Sequence, residues 1–189
     1  MDKAPVRPLS SSYRLLNPGP VTLVSVSDGG RDNLFAVTWA MPVRKDPPMV
    51  AILSGKRHFS YPIIERTGEF GISVPDRSLV DAVYGCGTTT GAKESDKFAR
   101  FQLSRQPSSR IKAPLVAECV AGLECRVVQV VDLGASAMLL AQVLEAAASV
   151  EHFRDGHWRF DNGLELLHHL SGQRFCVSPV AFAATKPTA

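Results

Sequence analysis

The first half of the chain carries short apolar runs bounded by glycine, proline, aspartate or serine, a pattern typical of β-strands separated by turns. Strands are predicted at residues 21–28, 34–40, 49–53 and 70–74. Short helices are predicted at residues 60–66 and 78–85, because a serine opens each segment and a glycine follows it. A third short helix is predicted after Ser95, which is placed to cap it.

The second half contains one ambiguous segment, residues 136–148. Its alanine, leucine, methionine and glutamate residues favour a helix by propensity. However, Asp132-Leu133-Gly134 forms a hairpin turn directly before it, and the preceding residues 123–131 alternate as a strand does, so we predict a returning strand. Successive strands with short helices between them favour an antiparallel barrel or an α+β fold over a doubly wound parallel sheet.

Length and charge narrow the class of protein. The 189 residues predict a single domain, residues 1–189, with loose ends at about 1–12 and 184–189. The net charge of +3 is too small and too scattered for a nucleic-acid-binding protein. No apolar run reaches the length of a membrane span and no secretion signal opens the chain, so we expect a cytoplasmic protein. The four cysteines form no Cys-x-x-Cys pair, which favours free thiols in a reducing cytosol.

Several catalytic motifs are excluded. Gly85, Gly87 and Gly91 have a spacing similar to a dinucleotide fingerprint, but they follow a predicted helix rather than a strand. The chain has no H-E-x-x-H zinc motif and no Gly-x-Ser-x-Gly elbow. The adjacent His168 and His169 point in different directions on any regular element, which favours a solvent-facing pair. We therefore expect no metal site and no hydrolytic triad.

Two segments are candidates for binding a phosphate. Residues 54–60 place cationic side chains, a hydroxyl and a predicted helix start close together, although a solvated basic turn has the same composition. Residues 87–91, with Lys93 and Lys97 nearby, form a second candidate. Trp39 and Phe175 could wall a planar ring, although aromatic side chains more often pack in the core.

Six stretches follow one another in a specific order and spacing. They are residues 33–39, Asp46-Pro47-Pro48, residues 58–61, Gly68-Glu69-Phe70, Thr90-Gly91 with Asp96-Lys97-Phe98, and residues 123–127. Together they resemble the flavin reductase-like family, in particular its flavoredoxin branch, from about Leu15 to Val180. The resemblance implies an antiparallel split β-barrel, mainly β with short helices, that binds FMN, and it implies a strand at residues 136–143.

The resemblance also implies a binding site. Family contacts to FMN fall on Asn33, Trp39, Ser60, Lys97 and Phe175, with backbone groups of Thr38 and Ala40 facing the flavin. Ser60 and the N–H groups behind it would hold the phosphate, and Lys97 would add a positive charge. The complete predicted site comprises Asn33, Thr38, Trp39, Ala40, Ser54, His58, Phe59, Ser60, Gly87, Thr88, Thr90, Gly91, Lys97 and Phe175.

Three positions depart from the family pattern. His58 stands where arginine is frequent, so Lys56 and Arg57 are expected to supply the charge there. Ala36 stands where a hydroxyl residue is frequent, and Ser136 stands where histidine is frequent.

The implied function is oxidoreduction. NADH or NADPH would reduce the bound flavin, and electrons would pass to a small-molecule or protein acceptor; the family implies a homodimer. No protein nucleophile is required, because the cofactor carries the redox chemistry. One alternative is a flavoredoxin-like electron carrier that serves a protein partner. Another, motivated by Ala36 and Ser136, is a non-catalytic ligand-binding protein on the same fold.

Overall fold

The computed structural model describes residues 19–178 and residue 182, so the predicted loose ends lie outside the described residues. The helices are α1 (Tyr61–Thr67), α2 (Val80–Thr88), which follows a 3-10 turn at Arg77–Leu79, and α3 (Lys97–Arg100). The strands are β1 (Gly19–Pro20), β2 (Thr22–Ser27), β3 (Asp32–Val37), β4 (Ala40–Arg44), β5 (Met49–Gly55), β6 (Glu69–Val74), β7 (Arg105–Gln106), β8 (Leu115–Val116), β9 (Ala121–Leu133), β10 (Ser136–Ala148), β11 (Phe153–Arg154), β12 (His157–Trp158), β13 (Leu166–Ser171) and β14 (Arg174–Ser178).

The main sheet has seven antiparallel strands in the order β3-β2-β6-β9-β10-β5-β4. Its two edge strands, β3 and β4, are consecutive in the chain and are joined only by Thr38 and Trp39. So short a connection requires the sheet to curl until its edges approach each other, and the Leu53 N–H donates to the Trp39 carbonyl at 3.0 Å. The fold is the mainly β, antiparallel split barrel that the sequence predicted.

Two apolar clusters lie on opposite sides of the sheet. The first fills the barrel and includes Phe70, Ile52 and Leu139, packed with residues of α1. The second lies outside the barrel, where α2, α3 and the β13–β14 hairpin cover the sheet, and it is centred on Phe98 and Leu34. Because alternate residues of a strand point to opposite faces, β3 contributes to both clusters and holds the region between them in place.

The ambiguous segment 136–148 is strand β10, as predicted. It pairs with β9 along its whole length and with β5 from Ser136 to Gln142. Pairing on both sides outweighs the helical propensity of its alanine and leucine residues, since strand preference depends mainly on packing context.

Three differences between the predicted and the observed elements bear on the site. The strand predicted at 34–40 is divided, because the chain turns from β3 into β4 at Thr38 and Trp39. Helix α2 extends to Thr88, beyond the predicted end at residue 85. Helix α3 is capped by Asp96, whose carboxylate accepts the Ala99 N–H at 3.1 Å, rather than by Ser95.

A smaller sheet of β1, β13 and β14 lies beside the barrel, with β13 in its centre. His168 and His169 lie in β13 and are half-buried, so the predicted solvent-facing pair is wrong. The His169 ring packs against the Phe175 ring of β14, with the ring centres 5.0 Å apart. Among the described residues, no helix is long and apolar enough to cross a membrane.

Candidate functional site

A cavity of about 170 Å³ lies where the turn before α1 meets the end of α2 and the following turn. The predicted site residues that line it are Asn33, His58, Phe59, Ser60, Gly87, Thr88, Thr90, Gly91 and Lys97. The fold therefore brings the two predicted phosphate-binding segments, residues 54–60 and 87–91, to opposite walls of one cavity.

Asn33 and Ser60 form one wall. Both are buried, and the Asn33 side-chain amide donates to the Ser60 hydroxyl at 2.7 Å. Because the hydroxyl oxygen accepts this bond, its proton is left to donate to a ligand. Ser60 occupies the N-cap position of α1 as predicted, but its side chain makes no capping hydrogen bond. Its hydroxyl therefore lines the cavity and does not cap the helix.

Lys97 is the buried cation of the cavity, with 2% of its surface exposed. Its ammonium donates to the backbone carbonyls of Leu34 at 2.6 Å and Cys86 at 2.9 Å. None of the ion pairs formed among the described residues includes Lys97. Burial lowers the pKa of Lys97, because the charged form loses solvation. A bound anion would restore the favourable interactions that this ammonium has lost.

The polar groups around the cavity fit a phosphate and not a cation. No aspartate or glutamate lines the cavity, whereas four residues with hydroxyl groups do: Ser60, Thr88, Thr89 and Thr90. The Thr88 hydroxyl donates its only proton to the Tyr84 carbonyl at 2.9 Å, so it is not available to donate to a ligand. A dianion that accepts hydrogen bonds from hydroxyls, an amide and an ammonium is the ligand that this donor set would bind best.

Neither of the cations expected to supply charge beside His58 lines the cavity: Arg57 is exposed, and Lys56 is paired elsewhere. The Lys56 ammonium lies 2.7 Å from the Asp132 carboxylate in the turn between β9 and β10. This hydrogen bond raises the pKa of Lys56 and lowers the pKa of Asp132. The pairing draws Lys56 toward the β9–β10 turn, which leaves Lys97 as the cation in the cavity lining.

A second cavity, of about 300 Å³, adjoins the first and shares Phe35, Ala36 and His58 with it. Its lining includes the predicted residues Thr38 and Trp39, together with Ser136. It lies along the free edge of β3, which pairs with β2 on one side only. The Leu34 carbonyl reaches Lys97 at this edge, so the backbone groups of Ala36, two residues further along the strand, face the same way.

Three predicted site residues lie apart from these two cavities. Ser54 is buried and its hydroxyl donates to the Gly55 carbonyl at 3.4 Å. Ala40 lines an apolar cavity of about 510 Å³ on the outside of β4 and β5, which Trp39 also borders. Phe175 lines a cavity of about 340 Å³ beside α2, where its ring lies 5.0 Å from that of His169. Both of these cavities share Thr38 with the second cavity of the site. The cavity beside α2 also shares Ala36 with it.

The cysteines agree with the prediction of unreactive free thiols. All four are free, and burial raises the pKa of Cys86 and of Cys125 to about 12. A thiol with so high a pKa is protonated at neutral pH and is a poor nucleophile. Within the part of the chain that the structure describes, no group of histidine, cysteine, aspartate and glutamate side chains could hold a metal ion.

The predicted site omitted Phe35, Cys86 and Thr89, which line the cavity, and Arg31, which contacts it. Arg31 follows the turn between β2 and β3, and its guanidinium lies 4.8 Å from the centre of the Phe59 ring. It also donates to the carbonyls of Gly91 and Glu94 on the opposite wall of the cavity lined by Asn33, Ser60 and Lys97, which we call the phosphate-sized cavity. An arginine after a glycine turn carries no local sequence signal of such a role.

Comparisons with known proteins agree with this geometry. Residues 13–178 match the Flavin reductase like domain. The chain is 34% identical over 175 residues to the uncharacterized protein YddH of Escherichia coli K12, an alignment that covers 90% of this chain and 92% of that protein. A solved FMN-binding domain of a flavin reductases-like enzyme from Shewanella baltica is 28% identical, with a TM-score of 0.80 over 96% of this chain and 97% of that one. Flavoredoxin from Methanosarcina acetivorans shares the fold, with a TM-score of 0.83 at 22% identity over 97% of this chain and 95% of that one.

The domain match extends over most of the chain, and the alignment with the Escherichia coli relative covers 92% of that protein. The resemblance noted from six short stretches of sequence is thereby confirmed, and the likeness in fold includes flavoredoxin. From its sequence and its split-barrel fold together, the chain belongs to the flavin reductase-like family.

Proposed function

We propose that this protein binds FMN and uses it as an NAD(P)H-dependent flavin reductase. The observation that carries the proposal is the buried Lys97 ammonium, which has two carbonyl partners and no ion pair among the described residues, in a cavity free of carboxylates. Burying an uncompensated charge is costly, so such a site is most readily explained by an anionic ligand. The Shewanella baltica relative, described as FMN-binding, supports FMN as that ligand.

The phosphate of FMN would be held by Asn33, Ser60, Thr90 and Lys97. The flavin ring would lie in the adjoining cavity, where the free edge of β3 offers backbone N–H and C=O groups. Such an edge complements the alternating carbonyl and N–H groups of a flavin pyrimidine ring. FMN, when bound, supplies the redox chemistry by accepting a hydride.

The protein's own residues bind the cofactor and shape its surroundings. Trp39 is 49% exposed and lines the second cavity, in which the flavin ring would lie. Its indole can cover a planar ligand there and exclude water. Ala36 and Gly87 are small and face each other, since a Cβ on Gly87 would lie 3.2 Å from the Ala36 Cβ. Larger side chains at these positions would fill the region that joins the two cavities.

A visible absorption spectrum of the purified protein, before and after addition of FMN, tests the proposal. We expect flavin bands that stay with the protein during gel filtration, and their bleaching by NADH or NADPH in the absence of air. Retained flavin that is bleached only by a reduced protein donor would indicate an electron carrier like flavoredoxin instead. A protein that leaves gel filtration without flavin absorbance, after incubation with millimolar FMN, would contradict FMN binding and leave the non-catalytic alternative. The cytoplasmic location and the identity of the electron acceptor stay predictions.

We further propose that the protein is a homodimer, supported by an apolar patch on the outer face of the barrel. Ala137, Leu139 and Ala141 of β10 face the barrel core, so the intervening Met138 and Leu140 face outward. The strand register places Leu53 and Val131 beside Met138. Met41, with 52% of its surface exposed, extends this patch onto β4. The patch borders the cavities through Trp39 and Leu53.

Sedimentation at micromolar concentration should give about twice the chain mass of 20.4 kDa. Met138→Glu should convert the protein to a monomer, because association would bury the new carboxylate among apolar groups. Val150→Glu, at an exposed position after β10, should leave the dimer intact and serves as the matched control. A wild-type protein that sediments as a folded, FMN-loaded monomer would overturn the homodimer proposal.

A further inference from the structure

Arg31 is held in place by the turn between β2 and β3. The Asp28 carboxylate accepts the N–H groups of Gly30 at 3.1 Å and Arg31 at 2.9 Å. The Asp28 N–H in turn donates to the Arg31 carbonyl at 3.3 Å. These bonds fix the backbone of Arg31, so its half-buried side chain leaves the turn in a defined direction.

The Arg31 guanidinium makes contact with both walls of the phosphate-sized cavity. Its Nη2 donates to the carbonyls of Gly91 and Glu94, the latter at 2.7 Å, and its Nε donates to the Ser95 carbonyl at 3.2 Å. The flat face of the same group lies over the Phe59 ring, 4.8 Å from its centre. One planar side chain therefore joins the segment after α2 to the turn before α1.

The segment at residues 89–96 depends on such contacts because it has no regular secondary structure. It contributes Thr90 and Gly91 to the cavity. Gly91 is pressed against the opposite wall, since a Cβ placed on it would lie 2.4 Å from the Phe59 ring and 2.7 Å from the Asn33 side-chain oxygen. A small outward shift of the segment would separate Thr90 from Asn33 and Ser60.

We propose that Arg31 is a positioning residue that makes the site selective for a phosphate-bearing flavin over riboflavin. This inference rests on the proposed FMN-binding function. Arg31 holds residues 89–96 against Phe59, so that the donors on the two walls converge on one phosphate. A lysine would not replace it, because a single ammonium lacks the planar fork that reaches three carbonyls and stacks on a ring. Arg31 itself is occupied by carbonyls and acts through the segment that it holds.

The experiment compares Arg31→Met and Arg31→Lys with Arg66→Met in titrations with FMN and with riboflavin. Arg66 pairs with Asp28 in the same turn at 3.3 Å but makes no contact with residues 89–96, so it is a matched control. Both Arg31 variants should bind FMN about tenfold or more weakly, because the displaced segment would lose the hydrogen bond from Thr90 to the phosphate dianion, with riboflavin affinity changed less than about threefold. Arg66→Met should match the wild type with both ligands.

Hydrogen–deuterium exchange on the ligand-free proteins provides a readout that does not need FMN. Amides of residues 89–96 should exchange faster in Arg31→Lys than in the wild type, while the strands of the main sheet exchange alike. Equal losses for FMN and riboflavin, or unchanged exchange in residues 89–96, would overturn the role of Arg31. A wild-type protein that binds neither flavin would instead contradict the proposed function, and the exchange data would still report whether Arg31 holds the segment.

Discussion

Replacing Lys97 with methionine should weaken FMN binding at least tenfold and leave riboflavin binding nearly unchanged. Methionine keeps most of the apolar stem but removes the ammonium that lies buried beside the phosphate-sized cavity. A hydrogen bond to a charged group contributes about 1.5–3 kcal/mol, which corresponds to roughly a tenfold to hundredfold change in Kd. Titration with both ligands, followed by flavin fluorescence, measures the difference.

Lys93→Met is the matched control, since Lys93 lies four residues before Lys97 in the chain but is exposed to solvent. It should lower FMN affinity less than twofold in moderate salt, because exposed charges are screened. If Lys97→Met loses affinity equally for FMN and riboflavin, Lys97 supports the fold rather than the phosphate. The substitution also removes the donor to the two buried carbonyls of Leu34 and Cys86. Thermal unfolding of the ligand-free variant therefore measures how much of the effect comes from lost stability of the fold rather than from lost phosphate binding.

The same lysine predicts how FMN affinity depends on pH. Burial lowers the pKa of Lys97 in the free protein, and a bound dianion would raise it again. Binding therefore takes up a proton once the pH exceeds the pKa of the free protein. The FMN phosphate is already a dianion above about pH 7. Wild-type affinity should accordingly fall as the pH rises through the lowered pKa of Lys97, whereas the affinity of Lys97→Met should show no such fall.

Replacing Gly91 with alanine should both destabilise the protein and impair FMN binding. The new Cβ would lie 2.4 Å from the Phe59 ring and 2.7 Å from the Asn33 side-chain oxygen. Neither neighbour can move freely, because Asn33 is hydrogen-bonded to Ser60 at 2.7 Å and Phe59 lies under Arg31. Overpacking of this kind costs about 1–3 kcal/mol, which would lower the melting temperature by several degrees.

Gly30→Ala provides the comparison for Gly91→Ala. A Cβ on Gly30 would lie 3.7 Å from the Asp28 carboxylate, an ordinary van der Waals contact. This variant should unfold within about 0.5 kcal/mol of the wild type, as exposed substitutions usually do, and should bind FMN normally. Urea unfolding and FMN titration of both variants give the test. A Gly91→Ala protein as stable as Gly30→Ala, with unchanged FMN affinity, would show that residues 89–96 can move away from Phe59 at no cost.

Local patterns in the sequence predicted most strands of the barrel, and six short stretches indicated the family. Strands such as β2, β5 and β6 could be predicted because alternating or continuous apolar residues and the turn residues around them act locally. The Gly134 turn marked the hairpin that returns into β10, and Gly68 marked the end of α1, because each adopts a positive φ of 76° and 68°. The candidate site residues were also named from the sequence, but as separate segments.

Long-range packing brings some of those segments together, and the sequence did not indicate which. Residues 54–60 and 87–91 are distant in the chain, and they share a cavity because β3, α1 and α2 pack around one edge of the curled sheet. Two lysines that look equivalent in the sequence have opposite roles: Lys56 pairs with Asp132 in the β9–β10 turn, and Lys97 is buried beside the cavity. Arg31 joins walls that no sequence pattern connects. Local patterns fix the backbone conformation of each segment, whereas the partner of a charged side chain depends on long-range packing.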